Sequence, residues 1–160
     1  MVRTEISLFL KNVPGELGKM ASLFSKAGIN IDAITIQDAS AYVQELFKAR
    51  GKSLQRIASA ASYNSMRKDS AKFALIRLLV DNTDLAMDLL SKNNYLFDIM
   101  PVIAIKLENK PGELAEITNR FGKEGININY IYGSVSGPEE QCLFVFSPED
   151  IELAAKIFTE

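Results

Sequence analysis

The chain has no histidine, no tryptophan, a single cysteine, and no apolar run approaching the roughly 18 residues of a membrane span. Without histidine there is no serine triad, no cysteine–histidine pair, no imidazole acid/base chemistry, and most zinc sites are excluded. Cys142 stands in the run Cys142-Leu143-Phe144-Val145-Phe146. That run reads as a buried strand, not as the electropositive, partly exposed setting of a reactive thiolate, and one cysteine forms no internal disulfide. A net charge of -2 gives no global reason to expect nucleic acid or an anionic membrane as partner. With no signal-peptide pattern, a cytoplasmic protein is expected. No pair of carboxylates, metal cluster or activated nucleophile marks an enzyme, so neither catalysis, metal nor cofactor is expected.

What the chain does have is a repeat. Asn12-Val13-Pro14-Gly15-Glu16-Leu17 returns as Asn109-Lys110-Pro111-Gly112-Glu113-Leu114, and each is followed by an apolar-striped run ending Gly28-Ile29-Asn30-Ile31 or Gly125-Ile126-Asn127-Ile128. Eleven identities in twenty aligned positions, at a constant offset of 97, make these two copies of one structural unit. At 160 residues and 48% hydrophobic, the chain is large enough to bury a core in each.

Each copy opens on a two-residue alternation, Ile6, Leu8, Leu10 or Ile103, Ile105, Leu107, the mark of a strand with one buried face. A helix follows, with Pro14 and Pro111 expected in its first turn and Gly28 and Gly125 just past its end. Leu17, Met20, Phe24 and Ala27, repeated as Leu114, Ile117, Phe121 and Glu124, form its expected core stripe. Strands at 30–36 and 127–132, then at 73–80 and 141–146, and a second helix at about 83–92 and from about 149 onward complete the order. The fold class is therefore α+β, two ferredoxin-like βαββαβ units with both helices on one side of an antiparallel sheet and the other face left for partners. The first unit spans 1–100 and the second 101–160.

The copies differ in two places. Between Ile36 and Phe73 the first carries 29 extra residues, a helix-prone insert at about 41–71 with seven Lys/Arg against two Asp/Glu over Ala39 to Lys72. A lid or packing extension with a solvated basic face fits it; a nucleic-acid or partner-docking arm is the alternative, weakly sequence-specific because attraction of basic residues to phosphate carries no sequence information. The second copy has no counterpart of Tyr95-Leu96-Phe97-Asp98-Ile99, its closing strand. Val102 to Leu107 would then lie at a sheet edge, to be covered by a second chain or by the insert. Only Pro101 separates this strand from the first copy's last one, so one strand is expected to run through both.

The doubled Asn-x-Pro-Gly-Glu-Leu with its Gly-Ile-Asn-Ile exit resembles the ACT domain, the small ligand-binding module attached to many enzymes of amino-acid metabolism, and the tandem resembles free-standing two-ACT proteins. The resemblance implies an amino acid or similar metabolite held where the loop before the first helix of one unit meets the second strand of a neighbour. That site comprises Asn12, Val13, Pro14, Gly15, Glu16, Leu17, Asn30 and Ile31 in the first copy, and Asn109, Lys110, Pro111, Gly112, Glu113, Leu114, Asn127 and Ile128 in the second. First-turn N–H groups favour a carboxylate, Gly15 and Gly112 allow close approach, and the asparagines offer donors and acceptors. The asparagines match positions that contact serine in the similar regulatory domain of phosphoglycerate dehydrogenase. Leu10 and Leu107 replace a histidine there, which favours a ligand with more apolar surface. Structural alternatives stay open: Pro-Gly starting a helix, Glu16 and Glu113 complementing its dipole, Asn30 and Asn127 serving as exit-turn residues. The resemblance implies a homodimeric amino-acid-binding regulatory protein, or alternatively a detached regulatory subunit docking on an amino-acid biosynthetic enzyme. The small subunits of acetolactate synthase dock in that way, but they carry the motif once where this chain has it twice.

Overall fold

The computed structural model describes residues 1–39, 73–134, 137–138 and 140–159. The expected helical insert at 41–71 lies outside the described residues. Among those described, six strands and four helices follow in the order β1 (Val2–Lys11), α1 (Glu16–Lys26), β2 (Ile31–Asp38), β3 (Phe73–Val80), α2 (Thr83–Lys92), β4 (Leu96–Glu108), α3 (Glu113–Lys123), β5 (Ile128–Ser134), β6 (Gln141–Pro148) and α4 (Ile151–Ile157). They form two compact units, one of Ile6–Ile99 and one joining Met1–Glu5 to Met100–Glu160. The expected through-running strand is β4, which crosses Pro101 without a break.

In the unit Ile6–Ile99 the strand order is β2-β3-β1-β4, with β3 antiparallel to both neighbours. Ile6, Leu8 and Leu10 point to the same side as Ile76, Leu78 and Val80, and Met20 and Phe24 of α1 with Ala86 and Leu90 of α2 close that core. In the other unit the order is β1-β4-β6-β5. Its core joins Ile103 and Leu107 to Ile117 and Phe121 of α3, Phe146 of β6, and Ala154 and Ile157 of α4. Phe121 stacks on Phe146 at 5.4 Å between ring centroids and meets the edge of Phe158 at 5.7 Å. Burying one such ring contributes about 1.5–3 kcal/mol. The copies even share an irregularity, a register shift at Ile31/Ala33 in β2 and at Ile128/Tyr130 in β5.

Both motif helices end as expected. Gly28 and Gly125 take positive φ, 72° and 69°. Each leads out through a paired bond set: Gly28 N–H to Ser25 O and Ile29 N–H to Phe24 O, matched by Gly125 to Gly122 and Ile126 to Phe121. This termination satisfies two last-turn carbonyls and seats the following isoleucine on the core. Cys142 is buried in β6, as its apolar run indicated.

Four expectations change. Pro14 and Pro111 precede the helices by two residues and do not enter their first turn. The stripe begins one position late, since Leu17 and Leu114 are 36% and 41% exposed while Met20, Phe24, Ile117 and Phe121 are buried. The sheet face opposite the helices is not open: Phe9, Leu75 and Leu79 on one, and Val102, Ala104 and Val145 on the other, are buried. The fourth concerns the edge at β4. The second copy has no last strand of its own, and the chain's own Met1–Glu5 takes the place, with Ala104 N–H donating to Met1 O at 2.8 Å.

Candidate functional site

The two Pro-Gly turns have nearly the same backbone. Gly15 sits at φ 92°, ψ -16° and Gly112 at φ 102°, ψ -27°, each the residue before the first helical turn. A Cβ built at either would meet nothing within 4 Å. Glycine is therefore required for its left-handed backbone, and the open space beside each one leaves the turn accessible from outside.

Neither helix has a side-chain cap at this end. The first regular bonds run from Lys19 N–H to Gly15 O and from Glu116 N–H to Gly112 O. Among the described residues the amides of Leu17, Gly18, Leu114 and Ala115 meet no acceptor. The other two helices differ: Asn82 Oδ1 accepts from Leu85 N–H at 3.1 Å, and Asp150 Oδ1 from Leu153 N–H at 2.9 Å. Bare first-turn N–H groups carry the positive end of the helix dipole and suit an anion.

The polar surroundings of the two turns differ. In the first copy Lys19 Nζ binds Glu16 Oε1 at 2.6 Å, a bond that raises the lysine pKa. Asn12 is exposed. A cleft of about 500 Å³ runs along α1 from its first turn, lined by Gly18, Lys19, Ser22, Leu23, Lys26, Asn93 and Tyr95. Burial and then the Glu16 charge push the Tyr95 hydroxyl up. In the second copy Lys110 Nζ lies 2.7 Å from Glu108 Oε2 and 3.3 Å from Glu113 Oε1. Hydrogen bonding to Glu108 and then to Glu113 raises the lysine pKa, and the same Lys110 bond lowers that of Glu108. Asn109 is tied to the β5–β6 turn, its N–H donating to Glu140 O at 2.8 Å and its Nδ2 to Gly137 O at 3.3 Å.

The strand-start residues lie elsewhere in each unit. Lys11 pairs with Phe73 and Ile31 with Val80, so the Pro-Gly turn and Asn30 are at opposite ends of β3. Seven residues at about 3.3 Å rise separate them by about 23 Å. Glu108 opposite Gln141 and Ile128 opposite Pro148 repeat this in the second copy. The expected residues of one copy thus form two groups that no small ligand spans. Asn30 holds a turn, its N–H donating to Asp81 Oδ1 at 2.9 Å, its Nδ2 to Asp32 Oδ1 at 3.1 Å, and its carbonyl accepting from Asp81 N–H at 3.1 Å. Asn127 O accepts from Glu149 N–H at 2.9 Å. Ile31 and Ile128 pack against the two cores. Leu10 and Leu107 are also core residues, which removes them as a ligand-facing surface; Val13 and Leu17, exposed on the first turn, supply apolar surface instead.

Sequence reasoning missed Glu5. It is fully buried and accepts from Tyr130 Oη at 2.5 Å and from Tyr132 Oη at 2.8 Å. Tyr130 and Tyr132, where the first copy has Ala33 and Thr35, were the visible signal of this difference.

The fold is that of two tandem ferredoxin-like units. Residues 102–159 match the family model of the ACT domain, and the first copy repeats the same motif and element order. A search of the curated proteins returned no match. Among solved structures, the chain is similar to protein BT0572 from Bacteroides thetaiotaomicron, at 23% identity and a TM-score of 0.72 over 99% of this chain and 88% of that one. It is also similar to the ligand-free regulatory subunit of aspartate kinase from Thermus thermophilus, at 13% identity and a TM-score of 0.56 over 98% and 92%. No helix among the described residues is long and apolar enough to cross a membrane.

Proposed function

We propose that the chain is a non-enzymatic regulatory protein that binds an amino acid through the bare N-termini of α1 and α3 and acts as a homodimer. The observation that carries this reading is the contrast among the four described helices. The two that follow the repeated motif begin at left-handed glycines without a side-chain cap, while the other two are capped by Asn82 and Asp150. The regulatory role is supported by the ACT family match and by the fold shared with a regulatory subunit of aspartate kinase. Because a Pro-Gly turn and its own unit's second-strand start lie about 23 Å apart, a ligand touching both kinds of residue needs two units. A seam between neighbouring units therefore suits it better than a pocket inside one.

The ligand's carboxylate faces the first-turn amides, and Asn12 or Asn109 donates or accepts beside it. Exposed Val13 and Leu17 favour an apolar side chain at the first turn. Three or four hydrogen bonds to charged groups, at about 1.5–3 kcal/mol each before the costs of association, give micromolar to millimolar affinity. A differential of about 1–3 kcal/mol between two arrangements is enough to shift oligomer geometry or partner binding. Thermal-shift screening of the twenty amino acids should find one or a few that raise the melting temperature. The Asn12→Ala/Asn109→Ala protein should keep its fold and lose that response. No response to any of the twenty, or an undiminished one in the double variant, contradicts the reading.

A second reading, a regulatory subunit that docks on an enzyme, draws on the exposed pair Ile34 and Ile36 of β2. Co-purification of an enzyme that Ile34→Lys releases would favour it.

A further inference from the structure

β1 is one strand with two unequal halves. From Ile6 to Leu10 it buries Ile6, Leu8, Phe9 and Leu10; from Met1 to Thr4 it buries no side chain, and Met1 and Val2 are each 50% exposed. The boundary residue, Glu5, is the exception. Its carboxylate is fully buried and takes a hydrogen bond from each of two tyrosines on β5, the strand at the far end of the same unit's sheet. Tyr130 Oη also lies 3.1 Å from Met100 Sδ, which places the thioether beside the same cluster. Met1–Glu5 thus closes the β4 edge with little apolar burial of its own, its one buried side chain sitting at the point where the strand passes from one unit to the other.

We propose that Met1–Glu5 is an exchangeable closing strand and that the β4 edge beneath it is an acceptor site for the same segment of a second copy. A segment with few buried apolar contacts opens at a small fraction of the free energy of global unfolding. Opening bares the β4 amides, and an unpaired edge templates strand addition. The occupant best matched to that edge is Met1–Glu5 itself: its Met1 carbonyl meets Ala104 N–H, and its Glu5 carboxylate meets the two phenols. A second copy offers the same atoms in the same order, so exchange replaces each bond with an identical one, the condition under which swapping an element between protomers costs little. Glu5 is the positioning residue of this device, and Tyr130 and Tyr132 are its anchors. The proposal does not depend on amino-acid binding.

The test uses the full chain. In Tyr130→Phe/Tyr132→Phe the rings remain and the two donors go. Amide hydrogen exchange at Ala104 should then accelerate at least about tenfold, while the amide of Phe121, in the α3 core, keeps its parent rate; unchanged exchange at Ala104 overturns the proposal. For the occupant, isotopically light and heavy copies are mixed, incubated, and treated with an amine-reactive cross-linker joining the Met1 amine to exposed Lys106. Links pairing light with heavy should accumulate with time, and faster in the double variant. Links that remain within one isotope in both proteins overturn the exchange, whether or not any amino acid binds. If the double variant does not fold, Glu5→Gln, which keeps the side-chain shape and removes the charge, is put through the same two measurements and must show the same two accelerations.

Discussion

The turns before α1 and α3 differ by about 10° in φ and in ψ at their glycines, yet almost nothing charged around them agrees. Lys11 and Lys19 of the first copy align with Glu108 and Glu116 of the second, and Val13 aligns with Lys110. The first turn is thereby more positive and more apolar; the second is more acidic, with Lys110 bridging two of its carboxylates. The comparison teaches that Asn-x-Pro-Gly-Glu-Leu specifies a backbone and a bare helix start, while residues outside the shared letters decide what that start faces.

The largest expected effect probes the two cores behind these turns. Phe24→Ala and Phe121→Ala should each cost about 3–5 kcal/mol. Phe121 should cost more, because it also loses ring contacts with Phe146 and Phe158 worth about 0.5–1.5 kcal/mol. Urea unfolding of the two variants decides the order, and a cheaper Phe121 would break it. Next come the glycines. Gly15→Ala and Gly112→Ala should each lose about 1–2 kcal/mol, and equally, since both are left-handed and neither Cβ meets a neighbour; a marked inequality in melting temperature would show that the turns are not backbone equivalents. Asn82→Ala and Asp150→Ala remove real caps, and each should cost about 1 kcal/mol by the same assay.

The smallest effect concerns Glu108. Its folded pKa lies below the ordinary 4.5, so the Lys110 contact is fully made above that value and is lost as pH falls through the lower, folded one. The raised pKa of Lys110 acts in the other direction, its contribution present below 10.5 and lost only as pH rises past the raised value. An NMR titration should place the Glu108 midpoint below 4.5, and Lys110→Met should return it upward. Both groups are solvent-exposed, so the melting temperature should hardly move.

Much of this was legible beforehand because it is local. Alternation at Ile6, Leu8 and Leu10, the stripe through Met20 and Phe24, and the glycines at 28 and 125 each encode their geometry within a few residues, and the repeat stated every element twice. Leu17 and Leu114 misled because helical spacing gives a face but not where the sheet beneath it stops. The closing of the β4 edge by Met1–Glu5 was invisible for a different reason. It pairs segments about a hundred residues apart, and its anchor is a glutamate in an otherwise half-exposed stretch, whose meaning appears only once Tyr130 and Tyr132 stand over it. The candidate site was half legible. The sequence marks the bare helix starts, but the separation of Asn12 from Asn30 follows from strand register, which no local pattern carries.

The central claim is that α1 and α3 present unoccupied amides to an anionic metabolite. The most direct measurement is an NMR titration of nitrogen-labelled protein with each of the twenty amino acids, following the N–H signals of Leu17, Gly18, Leu114 and Ala115 against those of Leu85 and Leu153 beneath the Asn82 and Asp150 caps. Saturable shifts in at least one uncapped pair, with the capped pair still, are the expected result. Signals that stay fixed at both uncapped starts for every amino acid, or that move no more there than under the caps, would contradict it.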